Sequence, residues 1–129
     1  MREYRSIMLV DDDSISNFIT ETRLRTIRKD FRFREFPNGQ KLLEFYSSEW
    51  ENEDEFFPAL LILDINMPIM DGFEFLEKFQ LLPNSDRTEV VMLSSSTREV
   101  DKDLSKQFPQ VIGYLEKPFQ VDALIQILS

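Results

Sequence analysis

Cysteine and histidine are both absent from the 129 residues of this chain. Their absence removes disulfides, thiolate nucleophiles, zinc sites built on sulfur or imidazole, Ser-His-Asp triads and phosphohistidine formed on the chain itself. Glycine is scarce, with three residues, and the six prolines are scattered. With no linker-like stretch and no internal period, residues 1–129 read as one domain. Positive charge is in the minority: 15 Lys and Arg against 24 Asp and Glu give a net charge of −9. Such a surface repels phosphates, which argues against direct binding to nucleic acid or an anionic membrane. No apolar run approaches the roughly 20 residues of a membrane span, and the charged start Met1-Arg2-Glu3-Tyr4-Arg5 lacks the apolar stretch of a secretory signal. A cytoplasmic protein is expected, with carboxylates, hydroxyls and lysines as its chemistry.

Four short apolar runs are present: Ile7-Met8-Leu9-Val10, Leu60-Leu61-Ile62-Leu63, Val90-Val91-Met92-Leu93 and Val111-Ile112-Gly113-Tyr114-Leu115. Each is too short for a helix and suits a strand covered on both faces, as in a parallel sheet. In Phe31-Arg32-Phe33-Arg34-Glu35-Phe36 apolar residues instead alternate with charged ones, the pattern of a half-exposed edge strand. Helical spacing fills the gaps. Ile15, Phe18, Ile19, Thr22 and Thr26, with Asp13 or Ser14 as N-cap, predict a helix to about Lys29. Leu42, Leu43, Phe45 and Tyr46 predict a second after Asn38-Gly39, and Phe73, Phe75, Leu76 and Phe79 a third. A fourth carries only the thin stripe of Val100 and Leu104, so it should be the most weakly anchored. Val121, Leu124, Ile125 and Leu128 mark the last. Strand and helix alternating five times imply right-handed crossovers and an open, doubly wound α/β sheet whose ligands bind beyond the carboxyl ends of the strands.

Chemistry-bearing residues follow every inner run. Asp11, Asp12 and Asp13 come after Val10, Asp64 after Leu63, Ser94, Ser95 and Ser96 after Leu93, and Glu116 and Lys117 after Leu115. Any one of these is an ordinary solvated turn; together they deliver carboxylates, a hydroxyl and an ammonium to one sheet edge. Crowded carboxylates repel one another unless protonated or neutralised by a cation. An all-oxygen donor set selects a hard ion, Mg²⁺. Metal, ammonium and hydroxyl together are what a transferring phosphoryl group needs, and a carboxylate there can itself be the nucleophile.

These residues also carry a resemblance over essentially the whole chain. Leu9-Val10-Asp11-Asp12-Asp13, Leu63-Asp64-Ile65-Asn66-Met67-Pro68 with Met70-Asp71-Gly72, Met92-Leu93-Ser94-Ser95 and Gly113-Tyr114-Leu115-Glu116-Lys117-Pro118-Phe119 resemble, in order, the receiver domain of two-component response regulators. The resemblance implies a five-stranded parallel sheet of order 2-1-3-4-5 flanked by five helices, an order the family itself exemplifies. It also implies Asp64 as phosphoryl acceptor and Asp11 and Asp12 as the acidic pair for Mg²⁺, with Asp12 a direct ligand. Asn66 would supply a backbone carbonyl to the metal, Ser94 would bond the phosphoryl oxygen, and Lys117, before a cis proline, is the family's lysine. Tyr114 falls at the aromatic switch position.

The implied protein is a phosphorylation switch rather than an enzyme, one that assists its own phosphorylation and dephosphorylation. A histidine kinase or histidine phosphotransfer protein supplies the phosphoryl group, and a downstream protein reads the face of the fourth helix, fifth strand and fifth helix. Homodimerisation is left open. Because the residues end with the fifth helix, output by protein binding or phosphoryl relay is expected.

Bland readings stand beside these. Asp13 suits an N-cap better than a third ligand, Asp71-Gly72 suits a helix start, and Tyr114 is also compatible with a plain buried aromatic. Glu49-Trp50-Glu51-Asn52-Glu53-Asp54-Glu55, with five acids in seven positions, reads as a solvated loop or a partner-docking one. Two rival functions remain. One is a Mg²⁺-dependent phosphohydrolase of the haloacid-dehalogenase type, with Asp11 as nucleophile and Asp13 as acid/base; the other is a receiver-shaped binding module that never carries phosphate. A calcium loop is disfavoured, since Asp11-x-Asp13-x-Ile15 lacks the third ligand and the central glycine.

Overall fold

The computed structural model describes residues 3–48, 56–82, 85–95, 98–118 and 120–129. Five strands, β1 (Ser6–Val10), β2 (Phe33–Phe36), β3 (Ala59–Asp64), β4 (Thr88–Ser94) and β5 (Val111–Glu116), alternate with α1 (Ser14–Arg25), α2 (Gly39–Ser48), α3 (Gly72–Phe79), α4 (Glu99–Ser105) and α5 (Val121–Leu128). The sheet is parallel throughout, in the order β2-β1-β3-β4-β5. Every carboxyl strand end therefore points the same way.

Because side chains alternate across a strand, each inner strand serves two cores. Met8, Val10, Leu61, Leu63, Val90 and Met92 face a cluster with Leu42 and Tyr46 of α2 and Phe75 and Phe79 of α3. Ile7, Leu9, Leu60, Ile62, Val91 and Leu93 face the other side, against Leu24 of α1 and Leu124 and Leu128 of α5. Continuous apolar runs are thus what a sheet covered on both faces requires. Much of the phenylalanine is core: Phe79 stacks on Phe75 at 5.1 Å and meets Tyr46 edge-on at 4.8 Å.

Three expectations change. The predicted apolar stripe of α1 is not its inner face: Ile15 and Phe18 are 68% and 67% exposed, whereas Asn17, Thr20 and Leu24 are buried. The inward side is the one that buries Leu24 in the core and lets Asn17 donate to the Asp11 carbonyl oxygen. The helix also ends at Arg25 rather than near Lys29. Thr26 Oγ1 donates to the Arg23 carbonyl and the Arg25 guanidinium to the Lys29 carbonyl, closing the last turn. Finally, β5 is half-exposed, not covered on both faces, because the strand order leaves it at an edge.

Other expectations stand. β2 is the opposite edge, Asn38 Oδ1 accepts from Lys41 N at the start of α2, and Lys117–Pro118 is cis, as is Phe57–Pro58. The fourth helix buries only Ser105 and has no side-chain cap bond, in keeping with its thin apolar stripe. Residues 49–55 lie outside the described residues.

One backbone position conflicts with its side chain. Between β3 and α3, Met70 N donates to Pro68 O at 2.8 Å, closing a tight turn on Ile69, whose φ is 73° and whose side chain is 97% exposed. A β-branched residue at positive φ stores about 1–3 kcal/mol of strain, with no burial here to offset it. Ile69→Gly is expected to stabilise the fold by about 1 kcal/mol, since the strain relieved exceeds the roughly 0.5–1 kcal/mol of added chain entropy. Thermal unfolding checks this, and a lowered midpoint would contradict it.

Candidate functional site

The carboxyl end of the sheet gathers the expected residues. β1 delivers Asp11 and Asp12, β3 delivers Asp64, and carboxylate oxygens of all three lie within 4.8 Å of one another. Asp11 and Asp64 are each 4% exposed, while Asp12 faces solvent. From the edge strand, Lys117 reaches in: its Nζ donates to Asp11 Oδ2 at 2.6 Å and lies 3.5 Å from Asp64 Oδ2. Its main-chain N–H donates to the Ser94 carbonyl at 2.7 Å, tying the end of β5 to β4.

Local chemistry holds each acid in place. Asp11 N–H donates to the Phe36 carbonyl, and Asp11 Oδ1 accepts from Asp13 N at 2.9 Å. Asp64 Oδ1 accepts from Asn66 N at 3.2 Å, so the turn after β3 folds back on its own acid. Gly72 lets α3 start against that turn. A Cβ there would lie 3.0 Å from Ile65 Cα and 3.1 Å from the Asp64 carbonyl oxygen, and Gly72 N donates to Ile65 O. Asp71 caps α3 in a reciprocal capping box with Glu74. Asp13 likewise caps α1 through Ile15 N, so both bland readings hold.

Three carboxylates and one ammonium leave a formal charge of −3 + 1 = −2 if all are ionised. The consequence falls on Asp64, whose pKa is pushed up to about 6, first by burial and then by the neighbouring Asp11 charge, with Lys117 opposing both. Burial alone would lower the Lys117 pKa; the Asp11 and Asp64 carboxylates outweigh it and hold the ammonium above its ordinary range. An all-oxygen donor set still short of positive charge fits a hard divalent cation such as Mg²⁺, for which Asp11, Asp12 and Asp64 would be the ligands.

Ser94, at the end of β4, is fully buried, and its Oγ accepts from Asn66 Nδ2 at 3.3 Å. Tyr114 is half-buried on β5 beneath Lys102, whose Nζ lies 5.9 Å from the ring centre. The sequence reading missed Asn17, which anchors the Asp11 carbonyl and so the acidic turn. Its available signal was a poor helix former opening an inward spacing of Asn17, Thr20 and Leu24.

A parallel 2-1-3-4-5 sheet with acids after its first and third strands and a lysine after its fifth defines a class, and comparison with known proteins agrees. The chain belongs to the response regulator receiver domain family, whose model matches residues 7–129. It is 30% identical over 123 residues to the response regulator Rcp1 of Synechocystis, covering 95% of this chain and 83% of Rcp1. Longer relatives also match, the chain spanning 54% of one and 13% of another. Among solved structures, a two-component response regulator from Cytophaga hutchinsonii superposes with a TM-score of 0.86 at 27% identity, covering 98% of this chain and 96% of that one. The Vibrio cholerae chemotaxis protein CheY4 superposes with a TM-score of 0.73 at 25% identity, covering 98% and 97%. Receiver domains are signalling switches of two-component systems rather than enzymes in the ordinary sense, and they interact with histidine kinases and downstream targets. No helix among the described residues is long and apolar enough to cross a membrane.

The raised Asp64 pKa carries a stability prediction. Between about pH 4 and 6 the folded protein keeps a proton on Asp64 that the unfolded chain has lost, so this group's share of stability is complete below that window and declines as pH rises through it. Asp64→Asn removes the decline. In metal-free buffer at pH 7.5 the variant is expected to be more stable than wild type by about 1–2 kcal/mol after allowance for solvent screening. Denaturant titrations at both ends of the range check it, and an advantage that fails to shrink toward pH 4 would contradict it.

Proposed function

We propose that this chain is a phosphorylation switch in which Asp64 accepts a phosphoryl group. The observation that carries the reading is the meeting of Asp11, Asp12 and Asp64 within 4.8 Å with Lys117 Nζ 3.5 Å from Asp64. An Asp64 oxygen attacks phosphorus, the P–N bond of a phosphohistidine breaks, its electron pair stays with the imidazole, and an acyl phosphate remains. The donor is a histidine kinase or phosphotransfer protein, since this chain has no histidine. Mg²⁺ held by Asp11, Asp12, Asp64 and the Asn66 carbonyl would neutralise phosphoryl oxygens when bound. Lys117 exchanges part of its pairing with Asp11 for the phosphoryl group, and Ser94 Oγ–H donates to it.

The apolar side chains exposed on α1 lie next to this chemistry. Ile15, Ile19, Lys117 and Pro118 line a common groove of about 230 Å³, and Phe18 stands exposed on the same helix. Apolar contacts along this rim, next to Lys117, would orient a donor delivering to the nearly inaccessible Asp64.

Drawing Ser94 toward the phosphoryl group moves the segment after β4 and gives Tyr114 room to turn inward, remodelling the face of α4, β5 and α5 that a downstream protein reads. The weak anchoring of α4 supports this direction of change. Against the phosphohydrolase alternative, Asp13 is occupied as a helix cap and Asp11 is held by Lys117.

Incubation with acetyl phosphate and Mg²⁺, read by intact mass, is expected to add one phosphoryl group to the wild type and none to Asp64→Asn or to wild type without metal. An adduct or steady phosphate release surviving in Asp64→Asn would move the nucleophile to Asp11. A folded wild type that takes up no phosphoryl group would leave a passive binding module.

A further inference from the structure

Asn66 touches both groups that must cooperate on a phosphoryl group. Its main-chain N–H donates to Asp64 Oδ1 at 3.2 Å, and its side-chain Nδ2 donates to Ser94 Oγ at 3.3 Å. The residue bridges the ends of β3 and β4, next to the main-chain bond from Ile65 N to Leu93 O at 3.1 Å. The polarity of the second bond is fixed by chemistry. An amide nitrogen only donates, so Ser94 Oγ accepts from it and its own hydrogen is directed to a different partner as a donor. Ser94 is fully buried, so its hydroxyl is not reoriented by bulk water, and a hydroxyl that accepts a hydrogen bond donates a stronger one.

We propose that Asn66 is a positioning residue: its side-chain amide sets the donor polarity of the Ser94 hydroxyl and thereby how tightly the site holds a phosphoryl group on Asp64. The inference rests on Asp64 being the acceptor and adds to it a side chain that acts only through Ser94. A carboxylate at this position would reverse the polarity by capturing the Ser94 hydrogen, and an aliphatic residue would leave it unset. Asn66 itself is exposed, so replacing its side chain does not threaten the core.

The test uses beryllofluoride, a phosphoryl mimic, titrated calorimetrically onto the whole chain at saturating Mg²⁺. Asn66→Ala is expected to weaken binding about fivefold, the equivalent of one hydrogen bond near 1 kcal/mol. In a Ser94→Ala background the same change is expected to have less than about a twofold effect, because the group it acts through is gone. Asn66→Gln, which keeps a donating amide, is expected to recover part of the loss. An Asn66→Ala effect of equal size with and without the Ser94 hydroxyl, or no effect in either, would overturn the proposal while leaving the acceptor reading intact. A folded wild type that binds no beryllofluoride would overturn the acceptor reading and this inference with it.

Discussion

The ion pair between Lys117 and Asp11 is the interaction on which the site depends. Two carboxylates at 4% exposure beside a third are costly to bury, and the desolvation of an ion is recovered only when a partner with good geometry is supplied. That partner comes from 106 residues further along the chain. The parallel sheet, by putting the ends of β1, β3 and β5 at one edge, brings it there. The compensation is incomplete, and the remainder appears as the raised Asp64 pKa. A site left deficient in positive charge is one that a divalent cation and a group reached by Lys117 can complete, so the electrostatic cost seen here and the proposed phosphoryl chemistry would have the same origin.

The strands and the residues at their ends were largely legible, since a doubly covered parallel sheet writes its inner strands as short apolar runs and its functional edge as whatever follows them, whereas the strand order followed only from the resemblance to receiver domains. If Asp64 accepts the phosphoryl group as the mass experiment tests, that edge was read from four motifs and one absence, histidine. What was not legible was which side of an element faces inward when polar contacts take part. On α1 the apolar positions Ile15, Phe18 and Ile19 follow helical spacing, yet the inward face carries Leu24 together with Asn17, whose amide reaches the Asp11 carbonyl. Periodicity measures apolar content and cannot register a single buried hydrogen bond. β5 misled for a related reason: its sequence is as apolar as the inner strands, but sheet order makes it an edge.

The amides form a second layer behind the charges. Asn17 holds the turn carrying Asp11 and Asp12, Asn66 N–H holds Asp64, and Asn66 Nδ2 meets Ser94. Neutral amides can stand close to a crowded acidic cluster without adding charge, and each offers donors that carboxylates accept. Spacing alone did not single out either side chain, because an asparagine after a strand or inside a helix is as often a turn or surface residue.

The two halves of the sheet edge differ in how firmly they are held, and that asymmetry would give the proposed switch a direction. On one side α1 and α3 carry side-chain caps, Gly72 packs against the turn after Asp64, and Asn17 locks the acidic loop. On the other, α4 has no side-chain cap bond, buries only Ser105 and rests on a half-exposed strand. In the proposed switch, a new bond between them, from a group on Asp64 to the Ser94 hydroxyl, would pull on both sides equally. The displacement would fall on the side with the smaller restoring force. On the proposed reading, the capped half would keep Asp64 in register with Asp11 and Asp12, and the α4–β5 half would move. If Asp64 accepts a phosphoryl group as proposed, local packing differences between elements of one small sheet would be enough to turn that covalent event into a change of surface some distance away.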